Sequence, residues 1–141
     1  MSRICLSKMN LVDTFRAFSD PSRLRILHLL LQQPLCVCHL QELLDLPQVN
    51  VSQHLAYLRK NGLVEFTSVQ TWKVYRLRPP MSRAVELSLR CLAESAKSDP
   101  VLSSDLKRLP KALKNSRFSS CGDPTVDRPR DSLSKTSATK L

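Results

Sequence analysis

The sequence predicts a mainly α fold with one β-hairpin, an α+β arrangement, and three observations carry that expectation. Leu35 to Val64 reads as a short amphipathic helix, a tight connection and a second helix closed by Asn61-Gly62. Val64 to Arg78 then turns to Val, Phe, Thr, Trp and Tyr, the residues of strands. Three flanking stretches, Ser7 to Phe18, Pro21 to Leu31 and Ser82 to Lys97, repeat apolar residues at helical spacing. Two helices followed directly by a hairpin make a winged helix-turn-helix.

The elements follow in order. Leu11, Phe15 and Phe18 share one face of the first helix, with Val12 adjoining. Asp20 is placed to cap the second and Pro21 to occupy its first position. Leu24, Leu27 and Leu31 make that second helix heavily buried, and Gln32-Gln33-Pro34 ends it. In the next helix Val37, Leu40 and Leu44, with Leu43, form the inner face. In the one after it, Val51, Leu55 and Leu58 turn inward. At about 100° per residue, Val49, Asn50, Gln53, Ala56, Tyr57 and Lys60 then lie opposite. None of these is acidic, and their amides and small side chains suit base edges in a DNA major groove. The residues expected to meet DNA are Gln48, Val49, Asn50, Ser52, Gln53, His54, Tyr57 and Lys60, with Lys73 and Arg76 on the hairpin. Gly62 takes the left-handed cap position, with Leu63 as its apolar partner.

Cys36 and Cys38 open the third helix. On an ideal helix, residues two apart point about 200° away from each other, so they reach one ion if the segment after Pro34 is irregular or if binding unwinds the first turn. A helix N-terminus is expected to lower their pKa and supply thiolates near neutral pH. The competing reading is two buried cysteines acting as small apolar residues. His28 and His39 are expected to be structural, with His39 a weak ligand candidate beside the sulfurs.

After Pro79-Pro80, the helix from Ser82 carries two apolar stripes: Val85, Leu89, Leu92 and Ala96, and nearly opposite them Ala84, Leu87 and Cys91. The second stripe points to a partner, most simply a two-fold homodimer. The expected division is a DNA-binding and dimerisation domain over 1–97 and a basic, largely disordered tail over 98–141, with helical turns broken at Pro110.

The net charge of +10 and pI of about 9.8 favour an acidic partner, double-stranded DNA first. The excess is not confined to the tail, because residues 1–97 hold 13 Lys and Arg against 7 Asp and Glu. No apolar run suits a membrane span, no signal-peptide pattern is present, and five cysteines suggest reduced thiols, so a cytoplasmic protein is expected. The chain has no Gly-rich phosphate loop, no H-E-x-x-H and no G-x-S-x-G, and it is not expected to be an enzyme.

LCVCHL, VSQHLAYLRKNGLV and WKVYRL, with SDPSRLRIL upstream, together resemble the ArsR family of metalloregulatory repressors, in particular its arsenic-responsive branch. The resemblance runs from about Phe15 to Lys97. It implies a repressor of an arsenic-resistance operon that binds an inverted-repeat operator as a dimer. Arsenite or antimonite bound at Cys36 and Cys38 would release it. The arsenic branch often has a third Cys where this chain has Gln41, so the third ligand is either missing or supplied by Cys5 or Cys91. A contribution from Cys5 would resemble the cadmium- and lead-sensing branch instead, the main alternative. A thiol-redox repressor of the same fold and a small thiol enzyme such as an arsenate reductase are the others. The family's wing tip often carries Gly with basic neighbours; Ser68-Val69-Gln70-Thr71 has neither.

Overall fold

In the computed structural model, which describes residues 9–69, 72–80 and 82–114, the first helix begins later than its apolar spacing suggests. Asn10 is extended and its side chain accepts from the Asp13 N–H at 2.7 Å, so α1 spans Leu11–Phe18; Ser7 and Lys8 lie outside the described residues. Asp20 caps α2 (Pro21–Gln32) by accepting from the Arg23 N–H at 3.0 Å, with Pro21 at the first position as expected. This helix is the centre of the core: Ile26, Leu27 and Leu29 are fully buried and it packs against α1, α4, α5 and α6.

The chain continues as β1 (Leu35–Cys36), α3 (Val37–Leu44), α4 (Gln48–Lys60), β2 (Val64–Val69), β3 (Trp72–Leu77), α5 (Arg83–Ser95) and α6 (Pro100–Lys114). Asp45 makes the turn between α3 and α4 in the left-handed region, at φ 56°, with its N–H on the Gln41 carbonyl. At the far end of α4, the Gly62 N–H bonds the Arg59 carbonyl at 3.0 Å and the Leu63 N–H the Leu58 carbonyl at 2.9 Å. Gly62 has φ 76°, and Leu63 and Leu58 are both buried, which completes the cap expected there.

Sequence spacing places the hairpin strands at Val64 to Thr67 and Lys73 to Leu77. The observed β2 and β3 are longer, and a third, two-residue strand joins them in the antiparallel order β1-β3-β2. Cys36 pairs with Val74, Phe66 with Tyr75 and Ser68 with Lys73. Because side chains alternate along a strand, Phe66, Lys73 and Tyr75 share one face, and Cys36, Thr67, Trp72 and Arg76 the other.

On α5, Val85, Leu89, Leu92 and the cap residue Ala96 are buried. Beyond the expected division at Lys97, α6 is continuous through Pro110, which lies exposed where water can satisfy the carbonyl that proline leaves without a donor. Leu102, Asp105, Leu109 and Ala112 form its buried stripe, against α3 and α2. Asp105 is fully buried and accepts from Arg25 Nε at 2.9 Å, Arg25 Nη2 at 2.8 Å and Arg108 Nη2 at 2.7 Å. These bonds hold the Arg25 guanidinium still more firmly protonated than usual. Both arginines also donate to the Leu43 carbonyl, at 3.1 and 2.8 Å, so α6 is clamped to the last turn of α3. The expected tail from Asn115 onward lies outside the described residues. Among the described residues, no helix is long and apolar enough to cross a membrane.

Candidate metal centre and nucleic-acid interface

Cys36 is the last residue of β1 and also the N-cap of α3, with φ −91° and ψ 167°. That extended backbone removes the conflict posed by an ideal helix. The Cys36 sulfur swings over the first turn and comes 2.8 Å from the Cys38 sulfur. His39 joins them, its Nδ1 lying 3.2 Å from Cys36 Sγ and accepting from the Cys36 N–H at 3.4 Å. The Cys36 sulfur in turn faces the His39 backbone N–H, a capping box with sulfur in the place of a hydroxyl. The three ligand atoms lie within 4.8 Å of one another. Cys36 is a free thiol and Cys38 is disulfide-bonded, so once that bond is reduced the three make a soft donor set with one imidazole that fits a thiophilic ion.

The surroundings are those of the fold's interior. Cys36 and Cys38 are buried, at 1% and 7% exposure, and Trp72 of the hairpin packs against them. Burial pushes the Cys36 thiol up, against the backbone N–H groups that pull it down, so the expected lowering by the helix terminus does not win. Of the third-ligand candidates, Cys91 is not among the three clustered ligands and lies exposed on α5, while Cys5 is outside the described residues. His39, expected to be structural, both caps the helix and contributes a ligand atom.

Helix α4 turns Val51, Leu55 and Leu58 into the core and leaves Gln48, Val49, Asn50, Gln53, Ala56 and Lys60 exposed, the face expected from spacing. Three of the named positions are half-buried against the body. Ser52 flanks the core face; His54 Nε2 lies 3.8 Å from Asp20 Oδ2; and the Tyr57 ring sits 4.1 Å under the Arg23 guanidinium. On the hairpin, Lys73 is exposed beside α4, whereas Arg76 lies on the other sheet face and bonds the Thr67 hydroxyl.

Leu87, at 44%, and Cys91 are exposed within the chain, and Ala84 is half-buried beside them. Leu11 and Phe15 of α1, at 57% and 59%, line the same groove of about 650 Å³.

The family model for bacterial regulatory proteins of the arsR family matches residues 20–65, the segment from the α2 cap to the start of the hairpin. The arsenic resistance transcriptional regulator ArsR1 of Pseudomonas putida is 33% identical over 96 residues, 67% of this chain and 73% of that protein. The chain belongs to the arsR family. An uncharacterised HTH-type transcriptional regulator of Methanocaldococcus jannaschii is 42% identical over 64 residues, 45% of this chain and 72% of that one. The solved structure of HlyU from Vibrio cholerae superposes with a TM-score of 0.54 at 32% identity, covering 67% of this chain and 96% of that chain. As an arsR-family member the protein is a winged helix-turn-helix transcriptional regulator and not an enzyme. Of these three relatives, one has arsenic resistance in its name.

Sequence spacing left out two residues that the fold brings to these sites. Trp72 covers the cysteines, and Arg59, off the outer face of α4, lies over the Phe66 ring at 4.6 Å. An aromatic residue near a wing tip and an arginine in a helix's last turn were the available signals.

Proposed function

We propose that this arsR-family protein is a dimeric cytoplasmic repressor. It binds an inverted-repeat operator ahead of arsenic-resistance genes and releases it when arsenite or antimonite is bound by Cys36 and Cys38. The observation that carries this reading is the pair of sulfurs 2.8 Å apart at a strand-to-helix junction. A ligand that takes the Cys36 sulfur withdraws the cap from the His39 N–H, and one that also takes the His39 ring frees the Cys36 N–H. Two donors at the start of α3 then need new partners, and α3 packs on α4. Release follows only because the ligand's preferred sulfur geometry differs from that of the capped, DNA-competent state. The exposed positions Gln48, Val49, Asn50, Gln53 and Lys60 would read the groove, with Ser52, His54 and Tyr57 at its margin. Leu11, Phe15, Ala84, Leu87 and Cys91 would meet a second copy.

The burial of Cys36 and Cys38 supports trivalent arsenic over cadmium or lead. A thiol that replaces a hydroxyl group on neutral arsenous acid forms a sulfur–arsenic bond, and its proton leaves in the water released. A divalent cation must instead displace the proton into solvent, which burial opposes. The name of the Pseudomonas putida relative supports the same choice.

Operator binding followed by fluorescence anisotropy tests this, with arsenite, antimonite, cadmium, lead and peroxide as separate additions. Wild type should be released by arsenite or antimonite. Cys36→Ser and Cys38→Ser should each keep operator binding and lose that release, because a hydroxyl is a hard, poorly ionised ligand. Arsenite-driven release in the double variant would remove the site. Release by peroxide alone would transfer it to the redox reading.

A further inference from the structure

The outer edge of the hairpin holds a group of side chains that neither the sulfur cluster nor the exposed face of α4 accounts for. Phe66, half-buried on β2, lies across from Tyr75, with ring centroids 5.4 Å apart. Two cations use the same Phe66 ring: the Arg59 guanidinium carbon lies 4.6 Å from its centroid and Lys73 Nζ 4.7 Å. Like charges gathered on one ring repel each other, so the arrangement calls for an anion. Among the described residues, neither the Arg59 guanidinium nor the Lys73 ammonium has a hydrogen bond or an ion pair. The neighbouring acid, Glu65, is on the other sheet face, 3.7 Å from Arg78. By contrast, Arg16, Arg25, Arg78, Arg83 and Arg108 all have carboxylate partners. The negative end of α4 accounts for a cation at position 59 but not for Lys73 on a strand. Both charges flank the last turn of α4, where a duplex seated on that helix would carry its phosphate ridge.

We propose that Phe66 is a positioning residue for DNA binding, its ring holding Arg59 and Lys73 together as a clamp for the phosphodiester backbone beside α4. The inference rests on α4 being the DNA-reading helix. Ring attraction fixes where the two charges sit while leaving their N–H donors available for phosphate oxygens.

The test uses the full chain and a fluorescein-labelled duplex of arbitrary sequence, with affinity measured over a range of potassium chloride concentrations. The slope of log affinity against log salt falls by about 0.9 for each phosphate that the protein no longer neutralises. Arg59→Gln and Lys73→Gln should each flatten the slope by about that amount. Phe66→Leu, with both charges intact, should flatten it as well, and Phe66→Tyr should restore the wild-type slope. A merely structural Phe66 would change the unfolding midpoint and leave the slope alone. A wild-type slope in Phe66→Leu, or in both Arg59→Gln and Lys73→Gln, overturns the clamp while leaving α4 as the DNA-reading helix. Absence of any salt-dependent duplex binding by wild type overturns that reading together with the clamp.

Discussion

Replacing Asp105 by asparagine should be among the most damaging single changes outside the apolar core. Its carboxylate is fully buried and accepts three hydrogen bonds, two from Arg25 and one from Arg108. Removing one partner of a buried ion pair costs roughly 3–5 kcal/mol, because the remaining charge is left uncompensated. Arg25, with its side chain 22% exposed, bears most of that penalty, while Arg108 at 45% recovers much of its solvation. The loss should therefore sit at the low end, about 3 kcal/mol, a large part of the roughly 5–15 kcal/mol that holds a domain folded. Urea unfolding followed by far-UV circular dichroism reads it directly. With a slope of about 1.5 kcal/mol/M, the midpoint should drop by about 2 M at unchanged slope. The double variant Arg25→Leu with Asp105→Leu should recover more than half of the loss, since it leaves no orphaned charge on α2. A midpoint shift below about 0.5 M for Asp105→Asn would mean that α6 does not depend on this network, and that the Leu43 clamp does not set the position of α3.

The apolar groove between α1 and α5 gives a second expectation. Leu87→Glu should sediment as a monomer and bind operator about a hundredfold more weakly, because a monomer engages one half-site alone; an intact dimer of this variant would refute the assigned face. Acid stability gives a third. Burial pushes His28 below its ordinary value of 6.5, against the charges of Asp105 and Asp99, so below that pH the unfolded chain binds a proton that the folded chain does not. Stability should accordingly fall as pH drops through about 6.5, and His28→Gln should flatten that fall in urea midpoints taken from about pH 7.5 to 5; an unchanged profile would assign the loss to other groups.

The local features of this fold were legible because their causes are local. Asp20-Pro21 starts a helix and Gly62-Leu63 stops one through bonds to residues within one turn, so three or four letters carry the information. Helix α6 was not legible as part of the core for the opposite reason. Its buried stripe includes Asp105, a residue that belongs inside only because Arg25 meets it from 80 positions away. Read alone, Ser103, Ser104, Asp105, Lys107 and Arg108 look like a solvated segment, and Pro110 like its end. Strand β1 escaped detection because two residues show no alternation; only their pairing with Tyr75 and Val74 makes them a strand.

The candidate site divides in the same way. The two cysteines and their soft-ligand character could be read from six letters, but their geometry and ionisation could not. Whether the sulfurs can meet depends on Cys36 being extended, which the β3 pairing supports. Whether they ionise depends on burial, to which Trp72 contributes from the far end of the hairpin. These two dependences bear on the proposed mechanism. Cys36 belongs to the sheet by its backbone and to α3 by its capping sulfur. In the proposed mechanism a ligand on that sulfur would therefore act at once on the support of α4 and on β3, the strand that carries Lys73. A site in the middle of α3 would press only on one neighbour, whereas the junction would reach both α4, the proposed groove-reading helix, and the hairpin proposed to face phosphates, through a single bond.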